Sequence, residues 1–445
     1  TTGHRGDLLT LHMTRSGAQF AQADATRQAY DDMRLYRRAV MHLPMGDHQD
    51  VVLDIFEVAG GKRHDWMTNG VADYDQVVES SLSFQRTGQP VADDGRVIDD
   101  ITDPALSAGR TVRGRDLAGV YAAFRNAGIG SVKQPWHVTM RPGEVLPEGV
   151  PGAGWRATFT GPRPGLRLHQ LAPLDATGIV AQAPRHRYPE ELRNPREARL
   201  EWANRLMPKI IVRREGDNLQ STFVAAWEPF LHQPWIKQAR IVQSVPADRG
   251  VGVIIEGEHG TARAIYRKPE APAEPLTVDG LTTDARFAAV RNFKEQTAID
   301  LSEGTRLQTP ELRLRVRSSP AMEITAHRPG EQPGDRDEFD VAGGLSTITA
   351  SARGWVVFRQ TGESARWLPL QSVQPQGANE GKLTLTRDGG FRYDPKLQRV
   401  RETYYPFRIE TAPARLHVPV SVSITRSPDG SDAQLVKVQS SHALS

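Results

Sequence analysis

VVLDIFEVAGGKRHDW, residues 51–66, is the stretch whose reading decides the fold. Val51, Val52, Leu53, Ile55, Phe56 and Val58 form a β-branched and aromatic run. Such a run reads as a strand with apolar contacts on both faces. Gly60 and Gly61 then end it in a tight turn, where a positive φ costs glycine little. Lys62, Arg63, His64, Asp65 and Trp66 follow at once. A buried strand thus delivers two cations, a titratable imidazole and an indole to a sheet rim, where a rigid scaffold presents chemistry.

Outward from this stretch the pattern stays β. Upstream, LLTLHMT, AQFAQADAT and the Tyr36–Leu43 run are short strands separated by turns. Downstream, Trp136–Met140, Trp155–Thr160 and Leu166–Leu171 alternate between Pro/Gly clusters. Ile210–Arg214, a turn over Glu215–Asn218 and Leu219–Trp227 read as a hairpin. The best helix candidate is Pro189–Leu206, which Pro195 would split, leaving a short helix from about residue 196 to 207. Residues 269–286, PEAPAEPLTVDGLTTDAR, read as a linker or long loop. Strands resume from residue 287, Gly330–Asp340 reads as a polar insertion, and Arg426–Ser445 as a frayed end. The fold class expected is all-β. A large antiparallel β-sandwich (super-sandwich) fills residues 1–268, and a smaller C-terminal β-domain fills 287–445, with few short helices.

Composition sets limits. The chain has 445 residues, 24% of them charged, and a net charge of only +3. Any preference for anions must therefore come from local clusters rather than a global field. With no cysteine, disulfides, thiolate ligands and thiol catalysis are excluded. No apolar run reaches the roughly 18 residues that would span a bilayer as a helix, so no membrane partner is expected. The weak net charge and the lack of a recognition motif disfavour nucleic acid. The acidic group Asp99, Asp100 and Asp103 lacks the ligand spacing of a calcium loop and reads as solvated turn.

Among thirteen histidines, His12, His42, His169 and His417 lie in strand-like alternation and read as packed or surface residues. His186 stands between Arg185 and Arg187, a setting that repels a cation, and no metal site or cofactor is expected in this chain. His64 differs in context. Its cationic neighbours lower an imidazole pKa and Asp65 raises it, so the ring suits proton transfer or donation to an anion. The plain alternative is a rim histidine capped by Asp65. Arginines 185, 187, 193, 196 and 199, with Lys209, Arg213 and Arg214, share one half of the chain with Trp136, Trp155, Trp202, Trp227 and Trp235. Cations among indoles suit acidic sugars, although individually most of these residues read as surface charge and core.

Three segments together resemble a known family. GGKRHDW (Gly60–Trp66) after VVLDIFEV, the preceding LYRRAVMHL (Leu35–Leu43), and VRREGDNLQSTFVAAWEPF (Val212–Phe230) resemble, in that order, the β-region of heparinase II/III-like polysaccharide lyases. The resemblance covers about the first 260 residues. It implies β-elimination on acidic, uronate-containing polysaccharide such as alginate or glycosaminoglycans. A base removes the proton α to the uronate carboxylate, and an acid protonates the leaving oxygen. In such lyases an α/α toroid precedes the sandwich and carries much of the site, whereas the β-region contributes a cleft histidine, at the position of His64 here. The resemblance makes His64 the catalytic candidate, with Lys62, Arg63 and Trp66 as substrate-binding candidates. The toroid and its His-Asn-Thr segment are not found in this sequence. The missing helical domain is accordingly an expected partner, and residue 1, a threonine, reads as the start of a processed or truncated chain. Periplasmic or secreted localisation is expected for an enzyme acting on polymers. The competing expectation is a non-catalytic carbohydrate-binding or structural β-protein that keeps the scaffold.

Overall fold

The computed structural model describes residues 6–442 apart from 92–120, 144–163 and 185–205. Shorter segments are also left out, at 15, 28, 31, 47–48, 72–75, 87–90, 122–123, 273, 294–295, 319, 331–334, 350–353, 361–364, 378, 404–408 and 429–433. The architecture is all-β and antiparallel, and among the described residues only Tyr121 has helical conformation. The strand expected at Trp155–Thr160, the acidic group at 99–103 and most of the expected 196–207 helix fall outside the described residues. Leu206 and Met207 open a strand, Leu206–Glu215.

The chain forms two compact units, one of residues 1–28, 37–53 and 236–445, the other of residues 29–36 and 54–235. This division replaces the expected boundary at 269–286. Gly260–Arg267 pairs with Phe287–Phe293 along its length, so a break there would split one sheet. The stretch read as a linker instead carries two short strands, Leu276–Val278 and Leu281–Thr283. Leu276, Val278 and Leu281 are at most 1% exposed, and this alternation of apolar residues outweighs the proline-rich start of the segment. The C-terminal stretch is likewise more ordered than its polarity suggests, because Gln434–Ser440 pairs with Ser421–Pro428.

In the second unit five strands of a larger sheet face a second, five-stranded sheet. The first five run in the order Asp50–Ala59 (from Asp54 on), Gln220–Phe230, Gly165–Ala172, Trp136–Pro142, Gln76–Ser80; the second sheet runs Arg63–Asn69, Leu206–Glu215, Ala176–Pro184, Arg125–Val132, Gln85–Arg86. Strand periodicity puts Phe56 and Val58, Trp136, Val138 and Met140, Leu168, and Phe223 and Ala225 of the first sheet against Trp66, Ile210 and Val212 of the second.

The first unit contains a seven-stranded sheet, a four-stranded sheet and a closed six-stranded barrel, Met322–Arg328, Glu338–Ala342, Glu380–Leu385, Arg366–Pro375, Gly354–Gln360, Ala414–His417. The polar insertion at 330–340 has a structural role there. Asp337 is fully buried and accepts hydrogen bonds from Gly330 N at 2.8 Å and Gly389 N at 3.1 Å. His327 Nε2 lies 3.1 Å from the same carboxylate, while its Nδ1 accepts from Tyr393 N and its ring stacks on Phe339 at 4.2 Å.

His12, in the Asp7–Met13 strand, is buried with Nδ1 2.7 Å from Ser302 Oγ. Burial pushes its pKa down to about 4, against an opposing pull from Asp300. Because the folded pKa lies below the unfolded one, the stability tied to a neutral ring is complete above pH 6.5. It is lost as pH falls from 6.5 towards 4. The shift corresponds to about 3 kcal/mol. Denaturant titrations of wild type and His12→Gln at pH 7 and pH 4.5 are expected to show a smaller acid loss in the variant. An unchanged loss would mean that His12 does not carry this dependence.

Candidate functional site

The Gly60–Gly61 turn has the conformation its composition requires. The two glycines have φ of 103° and 69°, and a Cβ on Gly60 would come within 2.2 Å of the Asp32 carbonyl oxygen. Gly60 N donates to Leu219 O, and Gly216 N donates to Lys62 O. The turn therefore closes onto the Leu206–Phe230 hairpin. Arg63–Asn69 pairs with Leu206–Glu215 so that His64 lies opposite Arg214 and Asp65 opposite Arg213.

His64 points into the sandwich and is 3% exposed. Its Nε2 is 2.5 Å from Gly60 O, which can only accept, so Nε2 carries the proton. Nδ1 then accepts from Ser221 Oγ at 2.8 Å, and Ser221 Oγ accepts from Arg214 Nη1 at 3.1 Å. Burial is the main reason that the His64 pKa is lowered; the Gly60 carbonyl opposes it and Arg214 adds to it. The imidazole is thus held neutral in one tautomer, with both nitrogens occupied.

Asp65 does not cap His64. It lies on the opposite face of its strand and binds Arg213 with two hydrogen bonds, of 2.9 and 2.8 Å. Tyr121 donates its hydroxyl to the same carboxylate, and the Arg213 guanidinium sits 5.0 Å above the Tyr121 ring. Burial, then Asp65, raises the Tyr121 pKa. Burial alone would lower the Arg213 pKa, but the hydrogen bonds and charge of Asp65 outweigh it and raise it. No pattern near Asp65 pointed to this triad, whose members are 56 and 148 residues away.

Of the binding candidates, Lys62 is open, its side chain 86% exposed and 3.7 Å from Asp217. Arg63 is paired with Glu215 at 2.5 Å. Trp66 has to be removed from the list. It is 2% exposed, donates Nε1 to Asp54 at 3.0 Å and packs edge-on against Trp227 at 6.1 Å, so no sugar can stack on it. Trp136 and Trp235 are core residues too. Trp155, Trp202 and the arginines at 185–199 lie outside the described residues.

A second polar group occupies the opposite face of the first sheet. Glu79, Thr139, Arg167 and Glu228 are register partners in a row across four strands, and His137 faces His169 in the next row. His169 Nε2 lies 2.8 Å from Glu228 Oε2, and Glu228 Oε1 accepts from Trp235 N. His169 read as an ordinary strand histidine because its carboxylate partner is 59 residues away.

Among the described residues no three His, Asp or Glu side chains gather as a metal site. Neither the protein-family models nor the curated proteins searched gave a match to the chain.

Proposed function

We propose that the chain is the β-region of a polysaccharide lyase that cleaves acidic, uronate-containing polysaccharide by β-elimination, acting with a helical domain that completes the site. The observation supporting this reading is that the segments carrying the resemblance meet in the fold. The Gly60–Trp66 stretch closes onto the Val212–Phe230 hairpin through Gly60–Leu219, Lys62–Gly216 and His64–Ser221. Two segments about 150 residues apart thus make one rim, which carries Lys62, Arg63 and Arg214. Cations on such a rim suit the uronate carboxylate, whose charge must be balanced as the α-proton leaves.

In this reading His64 is a positioning residue. Its ring fixes Ser221 and, through it, Arg214, rather than meeting the sugar. The test is to assay the intact protein, helical domain included, against a panel of uronate polymers, following the unsaturated product by ultraviolet absorbance. Product from at least one polymer is expected. No product from any of them overturns the reading. In an active protein, His64→Ala should lower kcat/KM at least about tenfold, roughly 1.4 kcal/mol, through kcat as well as KM. A smaller loss leaves His64 without a part in turnover.

The second reading, a non-catalytic carbohydrate-binding β-protein, is favoured by one observation. Neither nitrogen of His64 is available to a ligand. Saturable binding of a uronate polymer without turnover would select it.

A further inference from the structure

The face of the first sheet turned away from the sandwich core carries a polar group that the rim does not use. Strand alternation places Leu166, Leu168, Trp136, Val138 and Met140 inside. Arg167, His169, His137, Thr139 and Arg141 therefore lie outside.

Two features set this group apart from ordinary surface charge. First, its guanidinium is held but not consumed. Arg167 Nε donates to Thr139 Oγ1 at 2.9 Å, and among the described residues its terminal nitrogens have no hydrogen-bond partner. Burial lowers the Arg167 pKa, with the charges of Glu228 and Glu79 opposing it and that of Arg141 adding to it. Second, two imidazoles are held beside it. Glu228, 0% exposed, fixes His169 through Nε2, which leaves Nδ1 unpartnered among the described residues. The His137 ring lies 5.9 Å from that of His169, and it likewise has no hydrogen-bond partner among the described residues. Arg141 is near Glu79 at 3.6 Å, and its guanidinium lies over Phe230 at 5.4 Å.

We infer that this face binds the anionic group of a sugar, with the two terminal nitrogens of Arg167 gripping a carboxylate and the imidazoles of His137 and His169 meeting adjacent hydroxyls. The fork of a guanidinium matches a planar carboxylate through two parallel hydrogen bonds. Thr139 fixes the plane of that fork in advance, so less side-chain freedom is lost on binding. Glu228 is committed to His169 and to Trp235 N, and Glu79 faces Arg141 across the strand pair. The face thus presents the Arg167 fork and two imidazoles beside two carboxylates that already have partners of their own. The inference rests on the acidic-polysaccharide reading only for the choice of ligand.

Isothermal titration of the full chain with a mannuronate hexamer tests it, with a sulfated, uronate-free galactan hexamer and a neutral glucan hexamer as further ligands. The mannuronate hexamer should bind, the neutral hexamer should not, and Arg167→Gln should weaken binding at least tenfold. Arg328→Gln, which removes the same charge from the barrel, should bind like wild type. Tighter binding of the sulfated hexamer would assign the face to sulfate and overturn the carboxylate assignment. No binding by wild type, or equal losses in both variants, overturns the inference. If Arg167→Gln does not fold, His137→Gln, at a half-buried position, should weaken binding about threefold; wild-type affinity in that variant overturns the inference. Binding lost with Arg167 in a protein that releases no unsaturated product would sink the lyase reading and leave the binding face standing.

Discussion

Asp300→Ala is expected to destabilise the protein by about 3–5 kcal/mol, the cost of leaving a buried charge without its partner. The side chains of Asp300 and Arg291 are both fully buried, with Arg291 Nη2 2.6 Å from the carboxylate. Ser16 donates to the other carboxylate oxygen at 2.6 Å, and Arg291 also donates to Ser16 and to the Pro44 carbonyl. Removing the carboxylate leaves the guanidinium with two neutral acceptors and no route to water. Arg291 Nε already lacks a partner among the described residues, so an apolar pair should fit this site at little cost. Arg291→Met with Asp300→Leu is therefore expected to recover most of the loss. Calorimetric unfolding of the three variants decides the matter. A single substitution costing under about 1 kcal/mol would show that water reaches the pair.

The second large effect is expected at Asp65. Its side chain and that of Arg213 are 7% and 10% exposed, and both hydrogen bonds of the bidentate pair lie between them. Asp65→Ala should cost about 3 kcal/mol, because it strands Arg213 and removes the acceptor of Tyr121. Tyr121→Phe removes one hydrogen bond and should cost about 1 kcal/mol. A double-mutant cycle over Asp65 and Arg213 in urea denaturation should return a coupling of at least about 2 kcal/mol. Additive losses would mean that the two act independently. Arg213 and Arg214 are consecutive, with side chains on opposite faces of one strand. Freeing Arg213 should therefore disturb the rim less than losing His64.

The sequence was readable where the physics is local. The run from Val51 to Val58 is a strand because β-branched and aromatic side chains fill both faces, and Gly60 and Gly61 turn because only glycine takes those φ values cheaply. The hairpin from Ile210 to Trp227 was legible for the same reason. What failed was the assignment of faces. His64 and Trp66 share one face of their strand, and alternation alone does not say which face meets the core. Reading the segment as a rim made Trp66 a sugar platform, whereas the strand continues to Asn69 and buries the indole beside Asp54. Composition misled at residues 269–286, where prolines drew attention from the spacing of Leu276, Val278 and Leu281. The Glu228–His169 and Asp65–Arg213 pairs were invisible because each joins strands far apart in sequence, and only a known topology brings them together.

The division of the first unit has a consequence for synthesis. His12 meets Ser302, and Thr10 meets Glu303, at separations of 290 and 293 residues. Trp367 donates to Leu8 O across 359. At a ribosomal rate of about 5–20 residues per second, the first strands wait roughly 15–70 s for these partners. During that time the second unit, whose described contacts are complete by Trp235, can fold. The early strands meanwhile hold Phe20, Met41 and Leu43, all buried in the finished protein, open to any other strand that passes. These strands are therefore expected to need a holding chaperone until partners made some 290 or more residues later arrive.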